Sequence, residues 1–359
     1  MGASLVSDTV TIASHKGPYK ILFDENVLAE LNSEVPDDAH FIIDKKVAAL
    51  YRSQMQNVLN APSVLLLVAD ENKKSLNQMP KYVDHLVNRG IRRGHRLIAI
   101  GGGVIQDITC FLAAILLRGV DWEFYPTTLL AQADSCIGSK SSINSGATKN
   151  ILGTFTPPRV IFLSTDFLET LDDRDIRSGV GEILKVHAID GPISFDTITS
   201  EYETIFSNKN IMAYYVRQAL KIKKAYIEED EFDRGPRNIF NYGHTFGHAI
   251  EAAVDFTIPH GIAVTIGMDM ANWMSWHLGV GSKSTYNRMH PVLAKNYDGF
   301  AKTPIPIDAF IAAISKDKKN VGSALTLILP DAEGHLSRGR YSNDKEFQSL
   351  SATYLSSAR

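Results

Sequence analysis

A chain of 359 residues is long enough for two domains, and a composition of 44% apolar and 21% charged residues is that of an ordinary globular protein. A formal net charge of −3, from 37 basic against 40 acidic residues, leaves no global basic surface, so no nucleic-acid partner is expected. Apolar runs such as CFLAAILL fall far short of the roughly 20 residues a membrane helix needs, so no membrane partner is expected either.

The N-terminal stretch has no basic segment followed by an apolar core, and a secretory signal is not expected. Cys110 and Cys136 are isolated thiols rather than a CxxC metal pair, which suits a reducing cytoplasm.

Taken in chain order, YKILFD, AHFIID, SVLLLVA, RLIAIGG, EFYPTTLL and RVIFLST read as buried strands rich in Val, Ile, Leu and Phe. Between them, KKVAALYRSQMQNVLN and SLNQMPKYVDHLVNRGI read as helices. The alternation predicts an α/β domain with a mostly parallel sheet and helices on both faces. Beyond TPPRVIFLSTDFLETLDD the texture changes. DIRSGVGEILKVHAI, IMAYYVRQALKIKKAYIEED and GHAIEAAVDF carry helical periodicity, and strand signals nearly vanish until ALTLILP. A boundary near residue 172 follows, giving domains over 1–172 and 173–359, the second largely α-helical.

Within the first domain, RLIAIGGGVIQD predicts a strand, three glycines and a helix start. Gly101, Gly102 and Gly103 let the backbone approach a bound group, and amides at the helix start can cradle a pyrophosphate. The spacing departs from GxGxxG, so a plain strand-to-helix turn accounts for it equally well. Asp44, closing FIID, is placed either to bind a ribose or to cap a helix. The polar run PTTLLAQADSCIGSKSSINSGATKN holds Asp134, Lys140, Lys149 and Asn150 and reads as a loop, of a length more often functional than idle.

In the second domain, NYGHTFGHAIE places His244 and His248 on one helix face. The residue after His244 is Thr245 rather than Glu, which disfavours a zincin protease. His260 could add a third ligand and Glu182 a carboxylate, with Lys185 one turn on. On spacing alone a metal site and ordinary helix packing both remain open. Lys223, Arg237, Asn241, Lys316, Lys318 and Lys319 would suit a phosphate or carboxylate as an ensemble, though each could be a solvated surface charge.

GGGVIQD, LLRG, PTTLLAQADSCIGSK, TKN, GEILK, KKAYIEEDEFDRGPRN, NYGHTFGHAIE, HGIAV and DKKN…LTLILP occur in order from about residue 44 to 330. In this set the chain resembles the 3-dehydroquinate synthases and the wider sugar phosphate cyclases. The resemblance implies an N-terminal nucleotide-binding α/β domain that takes NAD, a helical metal-binding C-terminal domain, and an active site between them. It implies Zn2+, with Co2+ as the alternative, on Glu182, His244 and His260, and makes His248 a substrate-side residue.

Carried over by position, NAD would be contacted by Asp44, Glu71, Lys74, Gly101, Gly102 and Gly103. Asp107, Thr127, Thr128 and Thr170 would complete that set. Asp134, Lys140, Lys149, Asn150 and Lys185 would surround the reacting sugar ring, Lys149 also serving the cofactor side. Lys223 and Arg237 would bind the substrate carboxylate. Asn241, His248, Lys140 and Lys318 would hold the phosphate, and Arg118 would reach a phosphate in the neighbouring subunit of a homodimer. The implied reaction converts 3-deoxy-arabino-heptulosonate 7-phosphate to 3-dehydroquinate by transient oxidation, β-elimination of phosphate, reduction and aldol closure. The chain departs from the usual pattern at Gln106 (for Gly), in GSKSSIN with Ser139, Ser141 and Ser142, at Ile262, and at Val186 and His187. These departures mark a divergent branch, so a cyclase acting on sedoheptulose 7-phosphate or another sugar phosphate is the alternative. A metal-dependent polyol phosphate dehydrogenase is a third reading.

Overall fold

Six runs of apolar residues, each flanked by turn signals, pair side by side as parallel strands, and this decides the architecture of the first half. A computed structural model describes residues 8–146, 148–316 and 324–359 of the chain. It divides into two compact units, Met1–Leu171 with Lys224–Phe232, and Asp172–Lys223 with Asp233–Arg359.

The first unit carries strands β1 (Asp8–Ile12), β2 (Tyr19–Phe23), β3 (Ala39–Asp44), β4 (Val64–Leu67), β5 (Arg96–Gly101) and β6 (Asp121–Pro126), a hairpin of β7 (Ile143–Ser145) and β8 (Thr148–Leu152), and β9 (Val160–Leu163). The main sheet has the order β1-β2-β9-β6-β5-β3-β4 and is parallel except for the β1–β2 pair. Its helices are α1 (Val27–Ser33), α2 (Lys45–Leu50), α3 (Gln56–Leu59), α4 (Met79–Asn88) and α5 (Gly103–Ile115). Phe41 pairs with Ile98 and Ile43 with Ile100 across the register. With Tyr125 and the apolar residues of α1 and α2 they form one fully buried layer. Side chains alternate across a strand, so Leu97 and Ala99 face the opposite side, and α5 lies along β5 and β6.

The mostly parallel α/β sheet expected from the strand runs is present. Three details differ. The segment β1, not marked as a strand in the sequence, adds an antiparallel edge. KKVAALYRSQMQNVLN is not one helix: the chain turns between α2 and α3 so that Tyr51, Met55 and Val58 all reach the buried layer. The polar run after β6 is not structureless. It forms a π-helical turn at Ala131–Ser135 and then the β7–β8 hairpin, with Lys149 and Asn150 on β8.

The second unit is helical: α6 (Asp173–Asp190), α7 (Pro192–Ser200), α8 (Tyr202–Ser207), α9 (Lys209–Glu229), α10 (His244–Ala253), α11 (His260–His277), α12 (Lys283–Tyr297), α13 (Ile307–Ser315) and α14 (Lys345–Thr353). The last turns of α9 belong to the first unit. A hairpin of β10 (Ala324–Pro330) and β11 (Leu336–Ser342) packs its apolar strand β10 against α11. β11 (LSRGRYS) is half-exposed and polar, which is why no apolar run announces it. Among the described residues no helix is long and apolar enough to cross a membrane.

Candidate functional site

In the second unit, three helices come into backbone contact at glycines that adjoin potential metal ligands. On α11, a Cβ at Gly261 would lie 1.8 Å from the Ser178 carbonyl oxygen, so α6 and α11 can touch only if 261 is glycine. Gly181 makes the reciprocal approach, 2.4 Å from the Gly261 oxygen. Gly243, at φ +76° and 2.7 Å from the Val264 oxygen by the same measure, starts α10 against α11. Gly247 lies one turn further along the same contact. These four glycines directly neighbour Glu182, His260, His244 and His248, so the close packing delivers all four side chains to one place.

The donor atoms of His244, His248 and His260 lie within 4.8 Å of one another. Glu182 Oε1 is 3.8 Å from His244 Nε2 and 3.4 Å from His260 Nε2. Each of these two rings is oriented from behind. His244 Nδ1 faces the Tyr242 carbonyl at 3.2 Å, and His260 Nδ1 faces the Glu251 carboxylate at 3.2 and 3.3 Å. Both Nε2 atoms are thereby left pointing toward Glu182, the usual outer-shell arrangement for metal-binding imidazoles. Glu182 is 1% exposed, yet neither carboxylate oxygen makes a hydrogen bond. Lys185 Nζ sits 2.5 Å from Oε2 as an ion-pair partner without hydrogen-bond geometry. Buried carboxylate oxygens are normally satisfied, and a divalent cation would satisfy these. Two imidazoles and one carboxylate leave an open coordination position, the catalytic rather than structural pattern for zinc. Burial alone would lower the His260 pKa, but the Glu251 hydrogen bond and charge, with Glu182 behind, lift it to about 9. A bound cation would take the place of that proton.

Lys185, Lys223 and Arg237 are all buried in the same unit. The ammonium groups of Lys185 and Lys223 lie 5.6 and 5.9 Å from the centroid of the Phe240 ring, within cation–π range. Asn241, next in sequence, donates through Nδ2 to the Asn238 carbonyl at 3.0 Å. His248 is exposed, its ring centroid 5.3 Å from that of His244 and 5.7 Å from that of His260. Lys318 and Lys319 lie outside the described residues.

In the first unit, the chain steps from β3 outward to the edge strand β4, returns past β3 to β5, and continues the other way to β6. That reversal leaves a crevice beyond the carboxyl ends of β3 and β5, where such sheets bind ligands. Asp44 ends β3 and Gly101 ends β5, so the topology places both at its mouth. Asp44 also caps α2, accepting from the Lys46 amide at 2.9 Å, and burial raises its pKa. A Cβ on Gly102 would lie 2.9 Å from Thr128 Cγ2, and the Thr127 amide donates to the Gly101 carbonyl at 3.0 Å. Lys74 Nζ pairs with Asp107 Oδ2 at 2.8 Å and Glu71 Oε1 at 3.3 Å. Burial pushes the Asp107 carboxyl up to about 6 despite Lys74. Thr170 lies apart from this cluster in its contacts, its hydroxyl 3.1 Å from Tyr51 OH.

Asp134 sits in the π-helical turn, Lys140 and Lys149 are exposed, and Asn150 has φ 53°. Arg118 lies in a turn where Leu117, Arg118 and Gly119 all have positive φ. The first two of these are non-glycine residues in a sparsely populated region. Some of the departures from the usual pattern have visible partners. Ser139 keeps φ 59° and donates to Glu231 at 2.9 Å; Ser141 bonds Thr154 at 2.9 Å. His187 is buried against Tyr215 and bonds Ser194 at 2.8 Å. Gln106 pairs with Ser135. Two contributors escaped the sequence reading. Glu251 behind His260 was detectable as an acidic residue closing GHAIE. Asn144, which bonds Glu71 Oε1 at 2.9 Å and accepts from the Asn150 amide at 2.8 Å, had no signal beyond its polar surroundings.

Comparison with known proteins gives a consistent match. The 3-dehydroquinate synthase N-terminal family model matches residues 64–178, and the 3-dehydroquinate synthase C-terminal model matches residues 179–320. A 3-dehydroquinate synthase from Mesorhizobium japonicum is 33% identical over 338 residues, covering 89% of each chain. Among solved structures, 2-epi-5-epi-valiolone synthase from Streptomyces hygroscopicus, with NAD+ and Zn2+ bound, superposes with a TM-score of 0.81 at 24% identity, covering 98% of this chain and 99% of that one. A 2-deoxy-scyllo-inosose synthase, complexed with carbaglucose-6-phosphate, NAD+ and Co2+, gives 0.79 at 22% identity over 96% and 99%. At these identities the two structures speak for the fold alone.

Proposed function

Since the chain belongs to the 3-dehydroquinate synthase family, we propose that it converts 3-deoxy-arabino-heptulosonate 7-phosphate to 3-dehydroquinate and phosphate as an NAD- and metal-dependent lyase. The observation that carries the choice of substrate is the burial of Lys223 and Arg237 in the unit that holds Glu182, His244 and His260. A guanidinium and an ammonium held in the same unit suit a substrate carboxylate, which accepts charge-assisted hydrogen bonds from both groups.

In this reading residues 1–172 form the cofactor domain and 173–359 the metal and substrate domain. Bound NAD would supply a reversible hydride acceptor that is restored within each turnover, and Zn2+ or Co2+ would supply Lewis acidity. Glu182, His244 and His260 would hold the metal. Asp44 would bind a ribose; Gly101–Gly103 and the start of α5 would cradle the pyrophosphate. Glu71, Lys74, Asp107, Thr127, Thr128, Lys149 and Thr170 would complete the cofactor side. Asp134, Lys140, Asn150 and Lys185 would orient the sugar ring. Lys140, Asn241, His248 and Lys318 would hold the phosphate through its departure, where added negative charge on the leaving group makes hydrogen-bond donors most effective. Arg118 would serve a neighbouring subunit's phosphate in a cytoplasmic homodimer working in the shikimate pathway.

The departures at Gln106 and in the GSKSSIN segment favour one second reading, a cyclase for a sugar phosphate without the carboxylate. A phosphate-release assay with NAD and zinc separates the two. Release from 3-deoxy-arabino-heptulosonate 7-phosphate alone, with no net NADH, is the expected result. Release from sedoheptulose 7-phosphate alone would overturn the substrate assignment, and stoichiometric NADH would indicate a dehydrogenase.

A further inference from the structure

Gln106 occupies a position where the resembled family usually has glycine, and its side chain is put to a definite use. It stands in the first turn of α5 and is 6% exposed. Its Nε2 donates to the Ser135 carbonyl at 2.6 Å, and its Oε1 accepts from the Ser135 hydroxyl at 2.7 Å. A reciprocal pair of this kind fixes both the backbone and the side chain of Ser135. Ser135 closes the π-helical turn Ala131–Ser135, whose i to i+5 bond runs from the Cys136 amide to the Ala131 carbonyl at 2.9 Å. A second fastening of the turn is Gln132, fully buried, which donates to the Pro126 and Ser164 carbonyls at 3.0 and 2.8 Å. Asp134 lies between these two anchors.

The same turn borders the amide-bearing start of α5. A Cβ on Gly103 would come 4.0 Å from the Ser135 hydroxyl, while Thr128, just before the turn, closes on Gly102. One residue beyond Gln106, Asp107 accepts from the Ser142 amide and pairs with Lys74. The first turn of α5 therefore grips two separate segments of the polar run, one through Gln106 and one through Asp107. A π-bulge is an energetically poor local conformation that persists where surrounding contacts over-determine it, and often marks a functional site.

We infer that Gln106 is a positioning residue, which ties the Asp134 turn to the cofactor-binding start of α5, so that occupation of that helix start by NAD orders Asp134. The inference rests on the proposed reading of α5 as an NAD site and of Asp134 as a ring-orienting group. A glycine at 106 has no side chain to make the tie.

Hydrogen exchange of the segment 129–137 in the full-length protein, with and without NAD, tests this directly. NAD should slow exchange there by about tenfold or more in the wild type. In Gln106→Met, which keeps the volume and removes both bonds, and in Gln106→Ala, that protection should vanish. The same two variants should lose kcat by about tenfold to a hundredfold, as a displaced group does, with the sugar phosphate KM changed less than about threefold. Ser135→Thr, which retains the hydroxyl, should keep protection and kcat. Should Gln106→Ala fail to fold, Gln106→Met decides alone. NAD protection in Gln106→Met equal to that of the wild type would overturn the inference and leave the NAD reading standing. Absence of NAD binding by the wild type would overturn both.

Discussion

His260 divides its two nitrogens between two carboxylates, Glu251 behind Nδ1 and Glu182 ahead of Nε2. That division explains why a residue at the first position of a helix, partly open to solvent, can be held in a single orientation. It also separates two kinds of substitution. Replacing His260 by Ala removes a proposed ligand, so metal content and turnover should disappear together. Replacing Glu251 by Gln leaves the ligand set intact but weakens its support, which should cost about 10–100-fold in metal affinity. Metal analysis of the purified variants, with a chelator titration for Glu251→Gln, checks both. Full metal content in His260→Ala would remove that residue from the site.

Helices α6, α10 and α11 show how packing builds a centre that no single element contains. Each places one or two donors, and each is spaced from its neighbour by glycine rather than by a side chain. A methyl group at 261 would collide with the Ser178 backbone, not with a mobile side-chain tip, so one helix must move. Gly261→Ala should lower stability by about 1–3 kcal/mol, the usual cost of overpacking, and should weaken metal binding by widening the gap between Glu182 and His260. Thermal unfolding and a zinc titration provide the two readouts. An unchanged melting temperature would mean that the helices are not held at backbone contact.

Across the whole molecule, buried titratable groups set how stability responds to pH. His187 is held neutral by burial, its pKa lowered to about 4 against an ordinary 6.5, with the charge of Asp190 opposing the shift. Between those values the unfolded chain binds a proton that the folded chain does not. Its contribution is therefore complete above about pH 6.5 and lost as the pH falls toward 4. Asp107, raised to about 6, acts in the opposite sense, its contribution falling as pH rises through the window from 3.8 to 6. Comparison of the wild type with His187→Gln isolates the histidine. The wild type should lose about 2 kcal/mol more than the variant between about pH 7.5 and 5 in denaturant titrations. Equal losses would mean that His187 is protonated in the fold.

The strand runs from YKILFD to RVIFLST, the helical periodicity after residue 172 and the chain of motifs were readable in the sequence, because period, composition and glycine spacing are local properties. They carried the α/β sheet, the helical second half and the family. The antiparallel β1, the π-helical turn and β11 were not readable, since each owes its conformation to distant partners rather than to its own pattern. The roles of Gln106 and Glu251 were hidden for the same reason. A side chain's charge and length are written at its position, whereas its partner 29 residues away in the case of Ser135, or on the next helix in the case of His260, is decided only when the packed core brings the two together.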